Sequence, residues 1–116
     1  MAITDVHGTQ TATVTTEHTL ADTAAAGTYV LYVDLTGMLA GDITELRIYM
    51  KVLTGDTAGT LCVYYDSFSG VPPATDEVAA SPPITTALTG SGAVRATLKQ
   101  TTGTSRNYNW SLVQIA

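Results

Sequence analysis

The stretch ELRIYMKVL, residues 45–53, alternates without a break. Leu46, Ile48, Met50 and Val52 share one parity, and Glu45, Arg47, Tyr49 and Lys51 share the other. A period of two is the signature of a half-buried strand, so one oily wall and one polar wall are expected here. The same period recurs outward in both directions. Tyr29, Leu31, Val33 and Leu35 alternate with Val30, Tyr32 and Asp34 in TYVLYVDL, and Val94, Ala96 and Leu98 alternate with Arg95, Thr97 and Lys99 in VRATLKQ. TLCVYYD sets Leu61, Val63 and Tyr65 against Cys62, Tyr64 and Asp66, and YNWSLVQI sets Tyr108, Trp110 and Leu112 against Asn109, Ser111 and Val113. Parity places Trp110 in the core beside Tyr108 and Leu112.

Weaker strands are expected in TATVTTEHTL, residues 11–20, and around Val78 and Ile84, where Pro82 and Pro83 permit only an edge strand or a break. Between them lie turn signals such as TGDTAG, residues 54–59, which predicts a hairpin loop, and LTGSGA, residues 88–93. Helical periodicity is missing, and LTGMLAGD, residues 35–42, is worth one turn of helix at most. The expected fold is all-β: an antiparallel β-sandwich, jelly-roll-like, of about six to eight strands. Residues 1–10 have no strong pattern and are expected as an extended N-terminal arm. Residues 11–116 form the single β-sandwich domain, a usual length for one core.

Composition removes several functions. Hydrophobic residues make up 45% of the chain and charged ones 13%, about half the usual share of charge, with threonine filling roughly a fifth of the sequence. The net charge is −5, and the five basic residues are scattered, so few phosphates could be neutralised. Neither nucleic acid nor an anionic membrane is an expected partner. Cys62 is the only cysteine; it forbids an intrachain disulfide and reads as an inert strand residue. MAITDVHGTQTATV has no basic and apolar leader pattern, and every apolar run is short of a membrane span. A soluble chain made in the cytoplasm is expected.

Chemistry is hard to place. His7 and His18, the two histidines, lack the close spacing of zinc ligands, and neither accompanies a nucleophile motif. The glycines form no phosphate cradle. Most aspartates sit at turns or strand ends, where they cap backbone amides; a calcium ion bridging two loops stays open. No catalytic residue, cofactor or metal ligand is therefore assigned, and no enzyme is expected. Tyr32, Tyr49 and Tyr64 have the outward parity of their strands and predict a binding stripe or an oligomer face. SGVPPATDEVAASPP, residues 69–83, carries all four prolines and reads as a surface excursion.

Taken together, AGTYVLYVDLTGMLAGDITELRIYMKVLTGDTAGTLCVYYDSFSGVPP and LKQTTGTSRNYNWSLVQI resemble small structural proteins of tailed-bacteriophage virions. The shared pattern is a TYVLxVDL strand, AGDxxELRIYxKVL, a Tyr-Tyr strand and LKQTxGTxRxYxW, spanning Ala26 to Ile115. The resemblance implies a capsid decoration or cement protein: a trimer bound to the major capsid protein on the capsid surface of the virion, after synthesis in the host cytoplasm. Arms and proline-rich loops are the expected clamps; together with the outward-parity tyrosines they give Ile3, Val6, His7, Tyr32, Tyr49, Tyr64, Val71, Pro72 and Pro73 as the candidate interface. The competing readings are a carbohydrate- or receptor-binding β-sandwich module and a head–tail connector or tail component.

Overall fold

The computed structural model describes residues 4–116. These carry nine strands: β1 (Thr4–Thr11), β2 (Glu17–Thr23), β3 (Gly27–Asp34), β4 (Ile43–Met50), β5 (Cys62–Ser69), β6 (Val78–Ala80), β7 (Ile84–Thr86), β8 (Val94–Thr102) and β9 (Asn107–Gln114). All pairings are antiparallel. The first sheet runs β1-β9-β3-β6, with β7 also against β3, and the second runs β2-β8-β4-β5. The two short strands β6 and β7 are one edge segment broken by Pro82 and Pro83, because a proline has no amide to give a ladder.

With that segment taken as one strand, the pairing is nested. First pairs with last, second with second-last, third with the broken segment, and β4 with β5. This is the wrapped antiparallel hairpin of a jelly roll. The expected antiparallel sandwich is therefore the fold found.

The core lies between the sheets. Leu31 and Val33 from β3, Leu46 and Ile48 from β4, Val94, Ala96 and Leu98 from β8, and Tyr108 and Leu112 from β9 are all buried. Trp110 packs against this cluster from the inner face, as its parity requires. Its ring lies over Gly8, the facing residue of β1. The expected helical turn of residues 35–42 is a pair of turns, closed by Met38 N donating to Leu35 O and Asp42 N to Leu39 O, with Met38 buried beneath.

Three expectations change. From Thr4 onward the expected arm is strand β1, paired residue by residue with β9. Side-chain hydrogen bonds from Thr9 to Asn109 and Thr11 to Asn107, each 2.7 Å, tie it down. The wall begun by Leu46 and Ile48 stops early, since the strand ends at Met50 and Val52 is 68% exposed in the loop. On β5 the two faces are exchanged. Tyr64 and Phe68 pack inward, opposite Ile48 and Thr44, while Val63 and Tyr65 point out. A register shift between Ile48 and Tyr49 accompanies this exchange.

Candidate functional site

The nine expected interface residues do not converge. Ile3 lies outside the described residues. Val6 is exposed at the rim of β1, and His7 lies on the outer face beside Asp5, Nδ1 to Oδ2 2.7 Å. Tyr32 is exposed on the outer face of the first sheet, Tyr49 is half-buried on the outer face of the second, and Tyr64 faces the core. The tyrosine stripe is therefore not formed: one ring belongs to each outer face and one to the interior. Val71 and Pro73 are exposed and Pro72 half-buried, in the loop that leaves β5. Among the described residues no three His, Cys, Asp or Glu side chains group to hold a metal ion, and no helix is long and apolar enough to cross a membrane.

Two other surfaces are built more deliberately. The first is the edge of β5. It is an eight-residue outermost strand, and among the described residues nothing pairs with its free side. Leu61, Val63 and Tyr65 stand exposed along it, with Val52 and Leu53 beyond one end and Val71 beyond the other. Edge strands are usually blunted by lysine, proline, a bulge, an inward-pointing charge or a cover; β5 has no lysine or proline, and carries only the register shift beside Tyr49 and one inward charge. Its one charge is Asp66, whose position opposite Leu46 turns it toward the rim of the core.

The second surface is the outer face of the second sheet, where polar side chains from four strands interlock. Glu17 Oε2 accepts hydrogen bonds from Tyr49 Oη and Thr97 Oγ1, both 2.6 Å. Burial raises the Glu17 carboxyl, but the Thr97 and Tyr49 hydroxyls and the charges of Arg47 and Lys99 outweigh it and leave the group below its ordinary value. Burial and the same Glu17 contact push the Tyr49 phenol up to about 12. Arg47 pairs with Glu45 at 2.9 Å and lies over the Tyr65 ring at 4.9 Å, while Tyr65 Oη donates to Glu45 at 2.9 Å. Arg95 is held by Asp22, Nη2 to Oδ2 2.7 Å and Nε to Oδ2 3.2 Å.

A second polar cluster closes one end of the sandwich. The Asp42 carboxylate accepts from Arg106 Nε at 2.7 Å, Leu39 N at 2.9 Å and Thr104 N at 3.3 Å. The Arg106 hydrogen bond is the main cause holding this carboxyl below its ordinary value. Alongside, buried Gln100 bridges Thr102 O and Thr104 O, and Tyr108 Oη meets Thr44 Oγ1 at 2.6 Å. Every buried side-chain nitrogen and oxygen among the described residues has a partner. This cluster is a structural clamp, open to solvent at Arg106, Thr102 and Thr104.

Neither the β5 edge nor the Glu17 face stood out in the sequence. The outward parity of Glu45, Arg47, Arg95 and Lys99 was the available signal for the second. For the first, the apolar residues had been assigned to the interior. No family model and no curated protein matches the chain.

Proposed function

We propose that this chain is a non-enzymatic structural protein of a tailed-bacteriophage virion that decorates or cements the capsid, acting as a trimer on the major capsid protein. The observation that carries the reading is the uncovered β5 edge, with Leu61, Val63 and Tyr65 exposed along an unpaired ladder. Such an edge is an aggregation hazard on a free monomer and a docking element on a component of an assembly. The sequence resemblance from Ala26 to Ile115 supplies the kind of assembly, and the low charge content is compatible with a chain that lives against neighbours. The jelly roll recurs in virion proteins and in lectins alike, so the fold adds only an analogy.

The nested topology also supports a closed ring. One side of the sandwich ends in β1 and β2, and the other in β5 and the β6–β7 segment. Contact between unlike edges of successive copies is head-to-tail, the kind that closes into trimers when the rotation permits. The test is light scattering of the free protein together with imaging and copy-number measurement on virions. Val63→Lys with Tyr65→Glu should reduce the trimer to monomers and abolish particle binding while the monomer stays folded, as read by circular dichroism. A wild-type monomer absent from particles refutes the proposal, and a low copy number at the tail favours the connector reading instead.

A further inference from the structure

On the outer face of the second sheet is a recess of about 170 Å³, lined by Glu17 and Thr19 of β2, Tyr49 of β4, Arg95 and Thr97 of β8, and Gly59 of the β4–β5 loop. A sheet face is flat, so a recess there needs a wall. The loop provides it by folding back over β8. Asp56 Oδ2 accepts from Val52 N at 2.9 Å and Leu53 N at 2.8 Å, which curls the loop. Gly59 and Gly92, with φ of +74° and +75°, then let it settle: a Cβ on Gly59 would meet Arg95 Nη1, and one on Gly92 would meet Ala58 Cβ.

The lining is preorganised. Thr97, only 3% exposed, forms the floor, and the ion pair with Asp22 fixes the Arg95 guanidinium. Valences are left over. Glu17 spends Oε2 on two hydroxyls while Oε1 stays without a protein donor; the Thr19 hydroxyl and Arg95 Nη1 have no hydrogen-bond partner among the described residues. The recess thus offers one carboxylate acceptor, one guanidinium donor and hydroxyls that do both. The charges around it balance: Glu17, Asp22 and Glu45 against Arg47, Arg95 and Lys99, interleaved by the strand register. A balanced field favours neither an anion nor a cation. What matches is a neutral ligand whose own groups donate and accept alternately.

We propose that this recess binds a neutral polyhydroxylated ligand, one sugar residue of a glycan. The volume is below that of pockets for drug-sized ligands, about 300 Å³ and upward, which limits it to a single residue. The site does not depend on the capsid reading; a decorating protein and a free one would carry it alike.

The test is NMR on the full chain with methyl glycosides of the common hexoses and N-acetylhexosamines, and with inorganic phosphate as the anionic probe. At least one glycoside should shift the amides of Thr19, Gly59 and Thr97, and phosphate should not. Glu17→Gln, at an exposed position on an edge strand, should weaken binding by about tenfold or more through loss of a charge-assisted hydrogen bond, with the fold kept and the melting temperature only slightly lowered. Thr19→Trp should abolish binding by filling the recess, and Tyr32→Ala on the opposite sheet should leave it intact. Silence with every glycoside, a response to phosphate alone, shifts centred on Tyr32, or indifference to Glu17→Gln each overturns the proposal.

Discussion

Replacing Asp42 by alanine tests the clamp at the end of the sandwich. Asp42 is 1% exposed and receives three hydrogen bonds, from Arg106, Leu39 and Thr104. Removing the carboxylate orphans all three donors. The Arg106 side chain is 24% exposed, so its guanidinium turns to water and loses only the lower end of a charged hydrogen bond's worth, about 1.5 kcal/mol. The two backbone amides are less able to rehydrate, and the Thr104 contact at 3.3 Å is the weaker of the two. Together they add about 1–2 kcal/mol, for a total of about 2–4 kcal/mol. For a chain of this size that lowers the melting temperature by roughly 8–16 °C.

The pH dependence follows from the same geometry. In the folded chain the Asp42 carboxyl sits below its ordinary 3.8, mainly through Arg106. A depressed carboxyl stabilises the fold above that ordinary value and loses its contribution as pH falls through the folded one. The stability gap between wild type and Asp42→Asn should therefore be full at neutral pH and shrink below about pH 4. Urea unfolding of both proteins across that range is the assay. A cost under about 0.5 kcal/mol for Asp42→Ala, the range of ordinary surface changes, would refute the clamp. So would a wild-type to Asp42→Asn gap equally wide at pH 3 and pH 7.

Gly92→Ala should cost about 1–3 kcal/mol, because a side chain at φ +75° is strained and meets Ala58. Amide exchange should rise at Gly59 and Thr60 while β4 stays protected; an undisturbed loop would contradict its role as the wall of the recess. Tyr49→Phe should remove the tyrosine component that titrates near 12 in an ultraviolet titration. Since the folded value is raised, wild-type stability is complete below about 10 and declines as pH climbs toward 12. The phenylalanine variant should show a shallower alkaline decline, and an identical one would show that the Glu17 contact contributes nothing.

Strands β3, β4, β8 and β9 are legible in the sequence because the inward parity of each carries most of its buried apolar residues, even though Val30 and Thr97 are buried on the other parity. Strand β1 is not. Its inner positions are Val6, Gly8 and Gln10, and the middle one has no side chain of its own and lies under the Trp110 ring. No hydrophobic alternation survives such an exchange of bulk between strands a hundred residues apart. Strand β5 shows the opposite failure. Its alternation is clear, but the sandwich closes with the rings of Tyr64 and Phe68 and leaves Leu61 and Val63 outside. Parity identifies two faces; which one is interior depends on the neighbouring strand. The recess was illegible for a related reason, since Glu17 meets Thr97 across 80 residues and its wall depends on two glycines that read only as turn formers.

The outer face of β4 bears on how copies would meet. Glu45, Arg47 and Tyr65 satisfy one another by an ion pair, a ring contact and a phenol hydrogen bond. Partly exposed pairs of this kind add little stability, typically under about 1 kcal/mol each. Their consequence is spatial. They keep the centre of the sheet charged and hydrogen-bonded, so burying it under a flat partner would require desolvating several ions. The apolar residues begin only one strand further out, at Val63 and Leu61. Face-to-face stacking of two copies is thus disfavoured, while approach along the β5 edge buries apolar groups and fills an open ladder. In the proposed assembly the polar ladder would therefore favour contact at the sheet edges over contact through this face.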